Sequence, residues 1–201
     1  MLNMSIELQE KIKENVFNHL KNSKADVMSI GLRIKHIEMM LKLAQRENIL
    51  DDSLFIKIMF HDVCKFEESE FIDHSILSGK YLLKFYKEDK DLQEAIKPFD
   101  MSCILIAVEH HSEKENYICH TLDIKILMEL DILSKFTEDY NFLYYTMSDM
   151  DKAEFFLSRL NKLINRIKKL KSHGRRKIIL EDLYQSIVQQ HIEILHEIYK
   201  K

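Results

Sequence analysis

The sequence predicts an all-α protein, and two features carry that expectation. Three Gly and one Pro among 201 residues amount to about 2%, where an average chain holds roughly 12% of the pair. So few breakers leave no material for the turns of a sandwich or barrel. Apolar residues also recur at three- and four-residue spacing nearly everywhere, without strict alternation. The length suits one domain with a helical extension and a core that needs no staples. A composition of 46% hydrophobic and 31% charged residues is that of a globular chain and excludes a disordered one.

The spacing predicts helices at about 4–22, 29–47, 52–65, 70–88, 98–111, 121–137, 149–172 and 177–200, and leaves 138–147 open. Pro98 stands where a first helical turn tolerates it. Thr121 and Ser148 are candidate N-caps, the latter with Asp151 three residues on. Gly174, after Lys168 to His173, reads as a C-terminal stop. A boundary is expected near 138, dividing a core at 1–137 from C-terminal helices at 138–201 packed on it.

Net charge is only −3, but its distribution is uneven. Between Phe155 and Leu180 there are nine Lys or Arg and no acid: Arg159, Lys162, Arg166, Lys168, Lys169, Lys171, Arg175, Arg176 and Lys177. That +9 stands beside −12 in the remainder. With Leu160, Leu163, Ile167 and Leu170 at helical spacing, the run reads first as the solvated face of an amphipathic helix. A phosphate-attracting surface is the alternative. No apolar run approaches the roughly 18 residues of a spanning helix, acids stand where a signal peptide has its apolar stretch, and Cys64, Cys103 and Cys119 form no disulfide framework. A cytoplasmic protein without membrane association is therefore expected.

Several imidazoles and carboxylates interrupt apolar helices. Leu54-Phe-Ile-Lys-Ile-Met-Phe runs directly into His61-Asp62, and Cys103-Ile-Leu-Ile-Ala-Val-Glu into His110-His111. Asp131 stacks four residues after Leu127 and three after Met128 in a helix apolar nearly all round. A carboxylate buried there is costly unless it is paired or binds a metal. His36 lies in another amphipathic stretch, and His74 follows an acidic turn in Asp73-His74-Ser-Ile-Leu-Ser-Gly79. Any one of these is ordinarily a hydrogen-bonded core residue. Together, on successive helices, they form a set of borderline and hard donors suited to Mn, Fe, Co, Ni, Zn or Mg.

The order His36, His61-Asp62, Asp131 resembles the H…HD…D motif of the HD superfamily of metal-dependent phosphohydrolases. His61-Asp62-Val-Cys-Lys65 is similar to that family's HDxxK form, Asp73 to Gly79 to its H-x4-G helix, and Glu109-His110-His111 to its third histidine site. The likeness spans about 27–136. It implies an all-helical core in which His36, His61, Asp62 and Asp131 hold one divalent ion. It further implies that Asp62 bridges to a second ion, held also by His74 and His110. Asp62 and His111 are the catalytic candidates. His111 is read as a substrate-facing or supporting residue, with third-ion ligand and proton donor left open. Lys65 and Arg33 are candidates for attracting phosphate, with an exposed helix-end lysine the other reading of Lys65.

The resemblance implies cleavage of a phosphoester or phosphoanhydride in a nucleotide, dinucleotide or other phosphorylated small molecule. The Gly-Tyr-Pro segment of cyclic di-GMP phosphodiesterases is missing after His111, and Lys65-Phe66 replace the Glu-Asp pair of guanosine tetraphosphate hydrolases. Two further readings stand beside this one: a non-catalytic metal-sensing module, and a phosphodiesterase docking nucleic acid on 155–180. Nucleic acid is not favoured, because no aromatics interleave with those charges. His19, His191 and His196 are read as structural or exposed, His120 as a cap or rim residue and Cys64 as a small apolar filler.

Overall fold

A computed structural model describes residues 3–67, 72–112, 121–172 and 178–200, without the side chains of 169–172. Among the described residues there are ten helices and no strand, an all-α fold. They are α1 (Ile6–Lys21), α2 (Val27–Arg46), α3 (Asp52–Phe60), α4 (His74–Glu88), α5 (Lys90–Ala95), α6 (Pro98–His110), α7 (Leu122–Ser134), α8 (Glu138–Tyr145), α9 (Lys152–Ser172) and α10 (Glu181–Tyr199). None is long and apolar enough to cross a membrane. The chain forms two compact units, Met1–Met128 and Glu129–Lys201, and the division falls inside α7.

Short polar side chains start most of the helices in the first unit. Ser5, Asp26, Asp51, Asp73 and Asp89 each accept a backbone N–H of the following turn, which relieves one orphan donor per helix. Pro98 opens α6 as expected. The α2 helix ends without glycine. Asn48 takes the left-handed conformation at φ 54°, and the N–H groups of Asn48 and Ile49 return to Gln45 and Ala44 carbonyls. That pattern satisfies the last carbonyls and turns the chain toward Asp51. All seven residues 54–60 of α3 are buried, including Lys57, whose Nζ donates to Asp123 Oδ2 at 2.9 Å.

Two helices differ from the expected bounds where the site is built. The third stops at Phe60, short of 65, and 61–66 continue as tight turns, with Lys65 N–H donating to the Asp62 carbonyl at 3.0 Å. The fourth starts at His74, later than 70, because Asp73 caps it. On α4 the residues facing α6 are small: Ser75, Ser78 and Gly79 are all buried. A Cβ on Gly79 would stand 2.5 Å from Glu109 Cγ, and Ser75 Oγ donates to the Glu109 carbonyl at 2.8 Å. Close approach of α4 and α6 therefore depends on what Gly79 lacks.

In the second unit Phe155, Phe156, Leu160 and Leu195 form the centre, packed by Phe142, Tyr145, Ile164, Val188 and Ile192 among others. Asp151, rather than Ser148, caps α9, accepting the N–H groups of Ala153 and Glu154. The α10 helix has no cap of its own. Instead the buried Glu129 carboxylate accepts the N–H groups of Ile179 and Leu180 at 3.1 and 2.8 Å, placing a negative charge beside the positive helix end. Arg159 is no part of a solvated basic face. It is buried, donates to Asn141 Oδ1 at 2.7 Å and to the Lys135 carbonyl, and lies 4.4 Å from the Phe136 ring centre. Lys162, Arg166 and Lys168 are exposed. Gly174, His173, Arg175, Arg176 and Lys177, and the side chains of Lys169 and Lys171, lie outside the described residues, as do Cys119 and His120.

His191 completes this buried network. Its Nδ1–H donates to the Ile187 carbonyl at 2.9 Å, leaving Nε2 to accept from Asn141 Nδ2 at 3.0 Å. The ring is thereby neutral, and burial together with the nearby Arg159 charge pulls its pKa below the ordinary 6.5.

Replacing Gly79 by Ala should lower stability by about 1–2 kcal/mol in denaturant unfolding, since overpacking outweighs the better helix propensity. An unchanged midpoint would show that Glu109 swings aside at no cost. The His191 contribution is complete above the unfolded value of 6.5 and is lost as pH falls through it, because the unfolded chain then binds the extra proton. The melting-temperature advantage of the wild type over His191→Gln should therefore shrink between about pH 7.5 and pH 5.5. A constant gap would remove the titration from the account.

Candidate metal centre

Asp62 stands on the turns that follow α3, and four elements of the first unit bring imidazoles to it. His61 ends α3, His36 comes from the middle of α2, His74 is the first residue of α4 and His111 follows the last residue of α6. His36, His61, Asp62 and His111 are all about 2% exposed or less. This is where apolar helices must tolerate polar side chains, and the geometry shows how they do so.

The ring nitrogens remote from Asp62 are anchored. Nδ1–H of His61 donates to the Ile58 carbonyl at 2.8 Å and that of His111 to the Val108 carbonyl at 2.7 Å. His74 Nδ1 lies 3.2 Å from Asp73 Oδ1, so the cap of α4 also orients the ring. Each tautomer, assigned from these partners, turns an Nε2 lone pair toward Asp62. The Nε2 atoms of His61, His74 and His111 lie 3.3, 2.9 and 3.4 Å from its oxygens. Lone pairs aimed at a carboxylate repel it unless a proton or a cation lies between them.

The two carboxylate oxygens serve different neighbours. Oδ2 faces His61 at 3.3 Å and His36 at 3.9 Å, and the Nε2 atoms of His36 and His61 are 3.2 Å apart. Oδ1 faces His74 and His111 and is buried with no hydrogen bond. Donors on one divalent ion at about 2.1 Å stand roughly 3.0–3.4 Å from one another in octahedral or tetrahedral arrangements. Both groups, each with donor atoms within 4.8 Å of one another, therefore suit an ion, and an orphaned carboxylate oxygen with imidazole lone pairs is the donor chemistry such an ion needs.

Burial pushes the Asp62 carboxyl up, but positive charge from a protonated His61 and from the Arg33 guanidinium outweighs it. The group is held well below the usual carboxylate range and is anionic at neutral pH. Arg33, expected to attract phosphate, pairs with Asp62 Oδ2, occupying with its guanidinium the charge-balancing position a cation would take. Lys65 is one-third exposed at the rim, its Nζ 3.1 Å from His74 Nε2 and 4.0 Å from Asp62 Oδ1.

Of the expected second set, the structure brings Asp62 and His74 together, and the imidazole that joins them is that of His111. Consecutive residues at a helix end diverge by about 100°, so only one of the pair can face Asp62. That phase cannot be read from a His-His dipeptide. His110 is the last residue of α6 and half-buried. Asp131 is buried on α7 and accepts from Lys135 Nζ, one turn on, at 2.6 Å. Asp73 was not singled out for the site by sequence. An acid immediately before a helix-opening histidine is the signal that could have marked it.

Comparison of the chain with family models, with curated proteins and with solved structures finds no match.

Proposed function

We propose that the protein is a metal-dependent phosphohydrolase of the HD kind, acting on a nucleotide or another small phosphorylated molecule. The observation that carries the reading is the split of Asp62: one carboxylate, two oxygens, with His61 beside Oδ2 and His74 and His111 beside Oδ1, the remote nitrogens of these three rings already bonded. His36, His61 and Asp62 Oδ2 would hold one ion, and the sequence resemblance implies Asp131 as its further donor. Asp62 Oδ1, His74 and His111 would hold the second. When bound, a pair of divalent ions supplies a nucleophile at neutral pH and positive charge for phosphoryl oxygens.

The chain's own residues have distinct parts in this reading. Asp62 keeps both positions at fixed separation. Asp73, Ile58 and Val108 hold the rings so that little reorganisation accompanies catalysis. Lys65, at the rim beside His74, draws in and orients the phosphate, because a clamped phosphate is what in-line attack requires. Arg33, released from Asp62 when an ion takes its place, becomes a second phosphate contact. A hydrolysis screen of metal-stripped protein, refilled singly with Mn, Fe, Co, Ni, Zn or Mg, tests the reading against nucleotides, dinucleoside polyphosphates and cyclic dinucleotides. Turnover with none of them would end it.

Asp62→Ala should lose both ions and all activity. His74→Ala and His111→Ala should each lose one ion and keep the other, and His110→Ala should keep both. Metal analysis of the four purified variants decides: equal losses for Asp62→Ala and His74→Ala would disprove the bridge. For Lys65→Ala the expectation is intact metal content with turnover lowered about ten- to a thousandfold, roughly 1.4–4 kcal/mol. Full activity on every phosphate substrate would leave Lys65 as a helix-end lysine only.

A further inference from the structure

A second cluster of metal-ligating side chains stands on the other side of the same turns. Cys64 and Glu67 are three residues apart, linked by a Glu67 N–H bond to the Cys64 carbonyl at 3.1 Å. His19 reaches them from the last turn of α1. Its Nε2 lies 2.7 Å from Glu67 Oε1 and 3.8 Å from Cys64 Sγ, and the three donor atoms fall within 4.8 Å of one another. Nothing in the phosphohydrolase reading uses them.

The cluster is held from behind. The His19 ring packs on Tyr81 with centroids 4.2 Å apart, and the Tyr81 hydroxyl donates to Asn15 Oδ1, one turn earlier on α1, at 3.0 Å. The Cys64 N–H donates to Ser78 Oγ at 3.1 Å, which fixes the turn against α4. In front, His19 and Glu67 line an open cleft of about 400 Å³ together with Asn22, Ser23, Lys24 and Phe66. The sulfur is buried while the imidazole and carboxylate are partly exposed.

We propose that His19, Cys64 and Glu67 form a cation site for a zinc-class divalent ion, with its fourth position facing that cleft. Thiolate and imidazole select such borderline ions over Mg or Ca. Zinc with these ligands at tetrahedral angles sets N and S about 3.6 Å apart and N and O about 3.4 Å apart. The N to S separation already matches, and the exposed Glu67 side chain needs to move only by several tenths of an ångström. Charge agrees as well. One thiolate and one carboxylate cancel the double charge of the ion, which suits a half-buried position. On binding, the Cys64 S–H bond breaks, its proton passes to solvent, and both bonding electrons stay on the sulfur that donates to the ion. No redox change accompanies the step.

Sulfur gives this site a signature that the all-nitrogen-and-oxygen centre at Asp62 lacks. Metal-stripped full-length protein is titrated with Co(II) and followed for a near-ultraviolet thiolate-to-cobalt band, and separately with Zn(II) for stoichiometry. The band is expected in the wild type, in Asp62→Ala and in a Cys103→Ser/Cys119→Ser variant. Cys64→Ser should lack it and bind one zinc fewer per chain. His19→Gln, a partly exposed change that spares the buried sulfur, should weaken zinc binding at least about tenfold. No band in the wild type, a band retained by Cys64→Ser, or unaltered zinc affinity in His19→Gln would each overturn the proposal. Because Asp62→Ala is an independent arm, failure here leaves the phosphohydrolase reading where it stood.

Discussion

A carboxylate taken out of water is costly unless its surroundings replace the lost hydration, and in the first unit that carboxylate belongs to Asp62. Burial works against its ionised form, yet the charges around it win, and the group stays anionic. That balance depends on distances of a few ångströms to groups from α2, the end of α3, α4 and α6. Four elements must therefore reach one point. Three of them do so through a local device: the α3 helix stops one residue before His61, Asp73 starts α4 at His74, and α6 ends just before His111. Three of the four histidines beside Asp62 thus stand at helix ends, where backbone direction changes and a side chain can be aimed, and His36 comes from the middle of α2.

Packing supplies the rest of the aim. Ser75, Ser78 and Gly79 let α4 approach α6 until Ser75 bonds the Glu109 carbonyl, and this contact brings the two helix ends carrying His74 and His111 together. Their ring centroids are 5.4 Å apart. A larger residue on that face would separate the rings without touching either of them. The glycine of the H-x4-G pattern is therefore a packing residue whose effect is felt at the site, through close approach rather than through a left-handed conformation.

Much of this could be read in the sequence, for reasons tied to range. Helices with long apolar periodicity, such as α2, α6 and α9, announce themselves, and so does Pro98 at the start of α6. The α5 helix has only six residues, too short for a period to register, and Asp89 alone marks its start. The eighth, left open by sequence, is also short at eight residues. Long-range pairings were not legible. Glu129 serves the α10 terminus fifty residues away, and Arg159 counted as surface charge because nothing local shows that Asn141 and the Phe136 and Tyr144 rings enclose it. At the candidate site the residue types were legible and the rotation of a helix end was not, so a His-His dipeptide does not say which imidazole faces Asp62.

The turns at 61–67 concentrate the chemistry because they are turns. The tight turns after Phe60 present Asp62 to four imidazoles and Cys64 to His19. The Ser78 bond to the Cys64 N–H ties this short stretch to α4, the helix that begins with His74. Rigidity imposed at Cys64 is thus felt two residues away at Asp62 and, through α4, at His74. A cation held by His19, Cys64 and Glu67 would clamp the Asp62 turn to α1 without entering the centre at Asp62. In that arrangement an ion at sulfur would support the geometry of the turn that carries Asp62, while the nitrogen and oxygen donors around Asp62 would keep their own positions.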